Sequence, residues 1–269
     1  MSAVQEQGNR WDHETAPINH AARDQPARFV IFCDVRSGSY ALVSRLDSAE
    51  DIICHGEVFH HEHLDLRAAF EQQLGVISVQ ERNADKLAYI KRLQALSPYK
   101  HFGFKVLRDH FDQSPELADY VSDPSVKRII LWRDPIESYG SLLRSLKTNI
   151  WMVKNPANFD AAALREKVMF SPESFSEFSK SYNQFIETSL ALSKIGNSFV
   201  LRYDQINHPP VIAALLRFIG SEVRAEETSS RTYKQFPGSV RDGFANWSEL
   251  RTHLWRDRFL AGPAPTVQP

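Results

Sequence analysis

The chain reads as an α/β protein in three layers, a central parallel sheet flanked by helices. Three observations predict this. Five short apolar runs, at 29–35, 52–54, 102–107, 128–132 and 199–203, have the length and the β-branched or aromatic content of strands. Helical patterns lie between most of them, the alternation expected of a parallel sheet with helices on both faces. Of the 269 residues, 42% are hydrophobic and 24% charged, a globular mix that permits a full core.

Taken in order, residues 1–27 form a polar segment expected to be flexible, followed by one domain over 28–260 and a flexible tail over 261–269, where Gly262 to Pro269 contains three prolines. The run Phe29-Val30-Ile31-Phe32-Cys33 predicts a buried strand. After it come Arg36-Ser37-Gly38-Ser39, and from Tyr40 the pattern turns helical, with Leu42, Val43 and Leu46 on one face. A strand, a turn of small residues and a helix start place free N–H groups and the positive end of a helix dipole at one spot, suited to an anion. Arg36 adds a planar charge that matches phosphate or sulfate oxygens. Residues Leu66 to Leu96 are charged and helix-prone. Between about Pro172 and Ile195, Phe175, Phe178, Tyr182, Phe185 and Ile186 recur at helical spacing, a stripe read as core.

A second anchor follows the fourth apolar run. Arg128-Ile129-Ile130-Leu131-Trp132 leads into Arg133-Asp134-Pro135, where Asp134 suits an N-cap and Pro135 the first helical position. Ser138, Ser141 and Ser145 then share a helix face, so Arg133 and Ser141 can grip a second anion together.

Composition excludes several classes. A net charge of −1 argues against a general nucleic-acid binder. No apolar run approaches the roughly 20 residues that cross a bilayer. The start lacks the apolar centre of a signal peptide, and Cys33 and Cys54, both in apolar contexts, read as buried thiols; a cytoplasmic setting is the expectation. The turn after the first strand is not a Walker loop, because no lysine follows Gly38.

Together the two anchors resemble the PAPS-dependent sulfotransferases, which use 3′-phosphoadenosine 5′-phosphosulfate as donor. The family writes its first loop [RK]-[SA]-G-[ST]-[ST]. Arg36-Ser37-Gly38-Ser39-Tyr40 matches at four places and departs at Tyr40, where a small hydroxyl residue is usual. Arg133 and Ser141 have the spacing of the family's 3′-phosphate arginine and serine. Ile53-Cys54-His55-Gly56-Glu57-Val58-Phe59 resembles the G-E-x-F of the bacterial carbohydrate group, the trehalose 2-sulfotransferase and nodulation-factor types. Leu201-Arg202-Tyr203-Asp204, Lys234-Gln235 and Asn246-Trp247-Ser248-Glu249-Leu250 resemble three later segments of the family.

The resemblance implies a P-loop-like fold and transfer of a sulfuryl group to a hydroxyl of a carbohydrate, glycolipid or related small acceptor. It implies donor contacts from Arg36, Ser37, Gly38, Ser39, Tyr40, Arg133, Ser141 and Lys234, with Arg241 a further option. Glu57 is the implied general base and Arg36 a catalytic cation. Glu57 is expected close to the donor loop on an adjacent strand and poised by partial burial near neutral pH. His55, His60 and His61 are its rivals. Sulfuryl transfer needs no obligatory metal, and His60-His61-Glu62-His63 lacks the usual zinc spacings, so it reads as a solvated loop. Acceptor walls are expected from 59–100 and 147–170, with Trp151 and Phe159 able to stack on a sugar ring. A homodimer is possible, since related enzymes pair. A P-loop-type kinase and a non-catalytic nucleotide-binding relative are the competing readings.

Overall fold

The computed structural model describes residues 26–66, 68–75, 77–236 and 238–256. The segment expected over 1–27, apart from its last two residues, and the tail over 261–269 lie outside these.

Five parallel strands make the sheet: β1 (Ala27–Cys33), β2 (Ile52–His55), β3 (His101–Leu107), β4 (Lys127–Trp132) and β5 (Ser198–Arg202). Their order across the sheet is β2-β3-β1-β4-β5. All five lie within two residues of the bounds expected from the apolar runs. The helices are α1 (Ser39–Leu46), α2 (Ala68–Leu74), α3 (Val79–Ala84), α4 (Lys86–Ala95), α5 (Asp109–Asp112), α6 (Pro115–Ser122), α7 (Pro135–Thr148), α8 (Pro172–Lys194), α9 (Pro209–Ile219) and α10 (Trp247–Arg256).

Alternation along β1 builds two cores. Phe29, Ile31 and Cys33 point to one face, against Leu42, Val43 and Leu46 of α1 and Ile212, Leu215, Leu216 and Ile219 of α9. Val30 and Phe32 point to the other, against Tyr89, Ile90 and Leu93 of α4 and the aromatic stripe of α8. The stripe is core, with Phe185 fully buried and Phe175 at 1% exposure.

The helix-prone run from Leu66 to Leu96 divides into α2, α3 and α4 for local reasons. Ser78 and Glu81 form a reciprocal capping box that starts α3, and Asp85 ends it while its side chain caps α4 at Ala88 N. At the second anchor Asp134 Oδ1 accepts from Ile136 N and Glu137 N, and Pro135 opens α7 as expected.

Strand order corrects one expectation. β2 is not the neighbour of β1, because β3 lies between them and pairs with both. Glu57 and the loop after β1 are therefore separated by the tip of β3. The same insertion parts Cys33 from Cys54, and both are buried free thiols. With β1 leading towards β2 on one side and β4 to β5 on the other, the sheet has its switch point between β1 and β4, and the crevice opens at their carboxyl ends.

Candidate active site

A cleft of about 1430 Å³ opens at that edge of the sheet. The loop after β1 forms its floor. Asp34 Oδ1 accepts from Val35 N at 2.8 Å and turns the chain out of the strand. Arg36 (φ 58°) and Gly38 (φ 85°) both take the left-handed conformation, which costs an arginine about 1 kcal/mol or more. At Gly38 a Cβ would fall 2.2 Å from the ring of Tyr203, so the position admits glycine alone. Gly38 also precedes α1 without offering a side-chain cap, which leaves the amides of the first turn for a ligand.

Three arginines gather on the β4 side. The Arg36 guanidinium reaches across to α7 rather than back over its own loop: Nε donates to Ser141 Oγ at 3.1 Å, Nη1 to Trp151 O at 2.5 Å and Nη2 to Gln235 Oε1 at 2.9 Å. Arg133 Nη1 donates to Arg36 O at 3.2 Å, and its guanidinium lies 4.1 Å from the centre of the Tyr203 ring. Arg144, one turn beyond Ser141, donates to Glu166 O at 2.9 Å and lies over the Phe236 ring. Burial, then Arg133 and Arg144, pulls Arg36 down to about 10. Arg144 falls to about 10 through burial and then Arg133. Among the described residues Glu137 is the one carboxylate paired with this cluster, at 2.9 Å from Arg133 Nε. Such a gathering of like charge is suited to a polyanion.

The β2–β3 side has the opposite design. Glu57 sits between Lys105, whose Nζ is 2.6 Å from Oε2, and His110, whose Nε2 is 3.3 Å from Oε1. Burial alone would raise Glu57, but Lys105 and His110 outweigh it and hold the carboxyl far below the usual carboxylate range. This corrects the expectation of a base poised near neutrality by burial. The carboxylate is ionised at every working pH, and weakly basic.

The cleft brings together Arg36, Gly38, Ser39, Tyr40, Glu57, Arg133, Ser141 and Lys234. Ser37 is buried at 2% exposure in the same loop. Lys234 is exposed and follows Tyr233, which bridges to Val153; Arg241 is exposed and not part of the cleft wall. Of the rival bases, His55 is 2% exposed in β2 and packs edge-on against Phe70 and Phe102, a core position. His60 and His61 stand at the rim. The ligand atoms of His60, Glu62 and His63 lie within 4.8 Å of one another, with Glu62 exposed and the rings of His60 and His63 tilted at 32° with centres 3.8 Å apart. Both expected acceptor segments contribute walls, including Trp151 and Phe159.

Sequence reading missed Lys105, His110, Asp65 and Arg144, and named Gln235 only beside Lys234 in a segment resemblance, without a role. Lys105 carried a signal, since a charge inside the apolar run of β3 needs a buried partner. Arg144 shares a helix face with Ser141. Asp65 carried none.

Fold and cleft define a class: an α/β protein of P-loop-like layout with an arginine-rich cleft where strands β1 and β4 diverge. Within it, the chain is similar to Nodulation protein H of Rhizobium tropici, 23% identical over 241 residues that cover 88% of this chain and 91% of that protein. The similarity to a nodulation protein, the type to which the motifs pointed, thus extends over most of the chain. No family model matches the chain. Solved structures with a likeness include a sulfotransferase domain from the curacin biosynthetic pathway (13% identical, TM-score 0.47, covering 91% of this chain and 94% of that one). Another is a sulfotransferase from Alicyclobacillus acidocaldarius (16%, TM-score 0.46, 88% and 93%).

Proposed function

We propose that this chain moves a sulfuryl group from PAPS to a hydroxyl of a carbohydrate, glycolipid or related small acceptor. The observation that carries the reading is the cluster of Arg36, Arg133 and Arg144 around Ser141, facing across one cleft an ionised carboxylate, Glu57. A donor with two separated anionic ends fits the first feature, and an acceptor that must shed a proton fits the second.

Arg133 and Ser141 hold the 3′-phosphate, with Arg36 and Arg144 beside them and Lys234 at the rim. Ser37, Ser39 and the amides of the first turn of α1 receive the 5′ end. The acceptor oxygen forms its bond to sulfur as the sulfur–oxygen bond to the phosphate breaks, and the electron pair stays on the phosphate oxygen. The loop dipoles stabilise that oxygen, while the Arg36 guanidinium, turned towards Ser141, serves the 3′ end rather than the catalytic role the resemblance implied. The acceptor proton passes to Glu57. An oxygen already bonded to sulfur is strongly acidic, so a weakly basic carboxylate is sufficient for a late proton transfer.

The test has two parts. 3′-Phosphoadenosine 5′-phosphate (PAP) should raise the melting temperature where ATP does not; the reverse result selects the kinase reading. Incubation with PAPS and pooled sugars should yield sulfated products by mass spectrometry. PAP binding without product selects the non-catalytic relative.

A further inference from the structure

Tyr40 stands where the related loops carry a small hydroxyl residue, and its own hydroxyl is committed elsewhere. It donates to Asp65 Oδ2 at 2.5 Å. The same oxygen accepts the backbone N–H of Glu57 at 2.8 Å. The Tyr40 ring meanwhile lies 4.2 Å from Lys105 Nζ, the cation paired with Glu57. One side chain of α1 therefore touches the cation beside Glu57 and the acid that holds the Glu57 backbone.

The surroundings are built for this contact. Asp65 is 1% exposed, and a Cβ at Gly56 would fall 2.1 Å from its Oδ2, so the glycine before Glu57 is what gives the acid room. Arg82 Nη1 donates to Val58 O and His63 O, each at 3.1 Å, and pins the loop between Glu57 and Asp65. Burial, and then the Asp65 carboxylate, keeps the Tyr40 phenol protonated, so it is always the donor of the pair. Turning the hydroxyl towards a phosphate would take a charge-assisted bond from a buried carboxylate.

We infer that Tyr40 and Asp65 are positioning residues: they fix Glu57 against Lys105 across the tip of β3 and so tie the base to the donor loop, and Tyr40 is not itself a donor ligand. The inference rests on the sulfotransferase reading of the same cleft. It also answers the problem set by the strand order, since β1 and β2 are not neighbours and some side chain must span the gap.

Tyr40→Phe keeps the ring on Lys105 and removes only the bond to Asp65; Asp65→Asn keeps an oxygen acceptor, and Asp65→Ala removes it. PAP affinity by calorimetry should stay within about twofold of wild type in all three. With PAPS and a sugar acceptor from the pooled screen, kcat should fall about tenfold in Tyr40→Phe and more in Asp65→Ala, with Asp65→Asn between wild type and alanine and the KM for PAPS unchanged. Crystal structures of Tyr40→Phe and Asp65→Ala should show Glu57 drawn away from Lys105. Weakened PAP binding with kcat preserved in Tyr40→Phe would make Tyr40 a donor ligand. A kcat within twofold of wild type in both Tyr40→Phe and Asp65→Ala would reduce the pair to packing. If wild type neither binds PAP nor forms product, the sulfotransferase reading fails; an unmoved Glu57 in the variant structures overturns the positioning inference by itself.

Discussion

The two halves of the cleft handle charge in opposite ways. On the β4 side, burial and neighbouring arginines pull Arg36 and Arg144 down, and the cluster of Arg36, Arg133 and Arg144 has a single paired carboxylate among the described residues. On the β2–β3 side, Glu57, Lys105 and His110 satisfy one another within 3.3 Å. The first half is short of anions among the described residues. The second is complete in itself and must be held in register to act. A ligand should therefore change the first half most, and a substitution the second.

The sharpest way to break this contrast is Glu57→Gln. Turnover should fall by about 10²-fold or more while PAP binding is nearly intact. Because the change leaves Lys105 without its anion, melting curves should accompany the assay so that rates refer to folded protein. Activity within a few fold of wild type would make the Glu57 cluster a structural ion pair and nothing more.

Next in size is Arg133→Ala. Loss of a charge-assisted contact of about 1.5–3 kcal/mol should weaken PAP binding roughly ten- to hundredfold by calorimetry. Unchanged affinity would remove the second anchor. Saturation with PAP sharpens the same point without mutation: at about 100 times its dissociation constant it should stabilise the protein by about 2.7 kcal/mol, seen as a rise in melting temperature that shrinks as salt is added.

The smallest effect concerns Asp34, between the halves. Burial, and then the nearby Asp109, pushes its carboxyl up from 3.8 to about 6, against the Val35 amide and Arg108, which pull it down. The native state holds this proton more tightly than the unfolded chain, so the group costs stability as pH rises from about 4 through 6. Asp34→Asn should be close to neutral at pH 4 and should stabilise by about 1–2 kcal/mol above pH 7. Equal melting shifts at both pH values would show that Asp34 does not titrate there.

What the sequence made legible was local. The turn after β1, the Asp134 cap with Pro135, and the aromatic stripe of α8 each depend on residues a few positions apart, and each lies where expected. The gathering of Arg36, Arg133 and Ser141 in one cleft was also legible, through the spacing of two motifs. Strand order was not, because nothing in β1 or β2 tells that β3 will come between them. The ionisation of Glu57 followed from that: its environment is set by Lys105 and His110, from an element whose adjacency no local pattern encodes. Asp65 and Gln235 act through contacts made only in three dimensions.

The bond from Arg36 to Gln235 joins residues 199 positions apart, so the beginning of the first loop is fastened by nearly the last part of the cleft to leave the ribosome. A nascent chain stalled before the Lys234-Gln235 segment can form its early strands but leaves the first arginine unfastened. Such a truncated chain lacks a hydrogen bond that holds the Arg36 side chain in the cleft, whatever else it manages to fold.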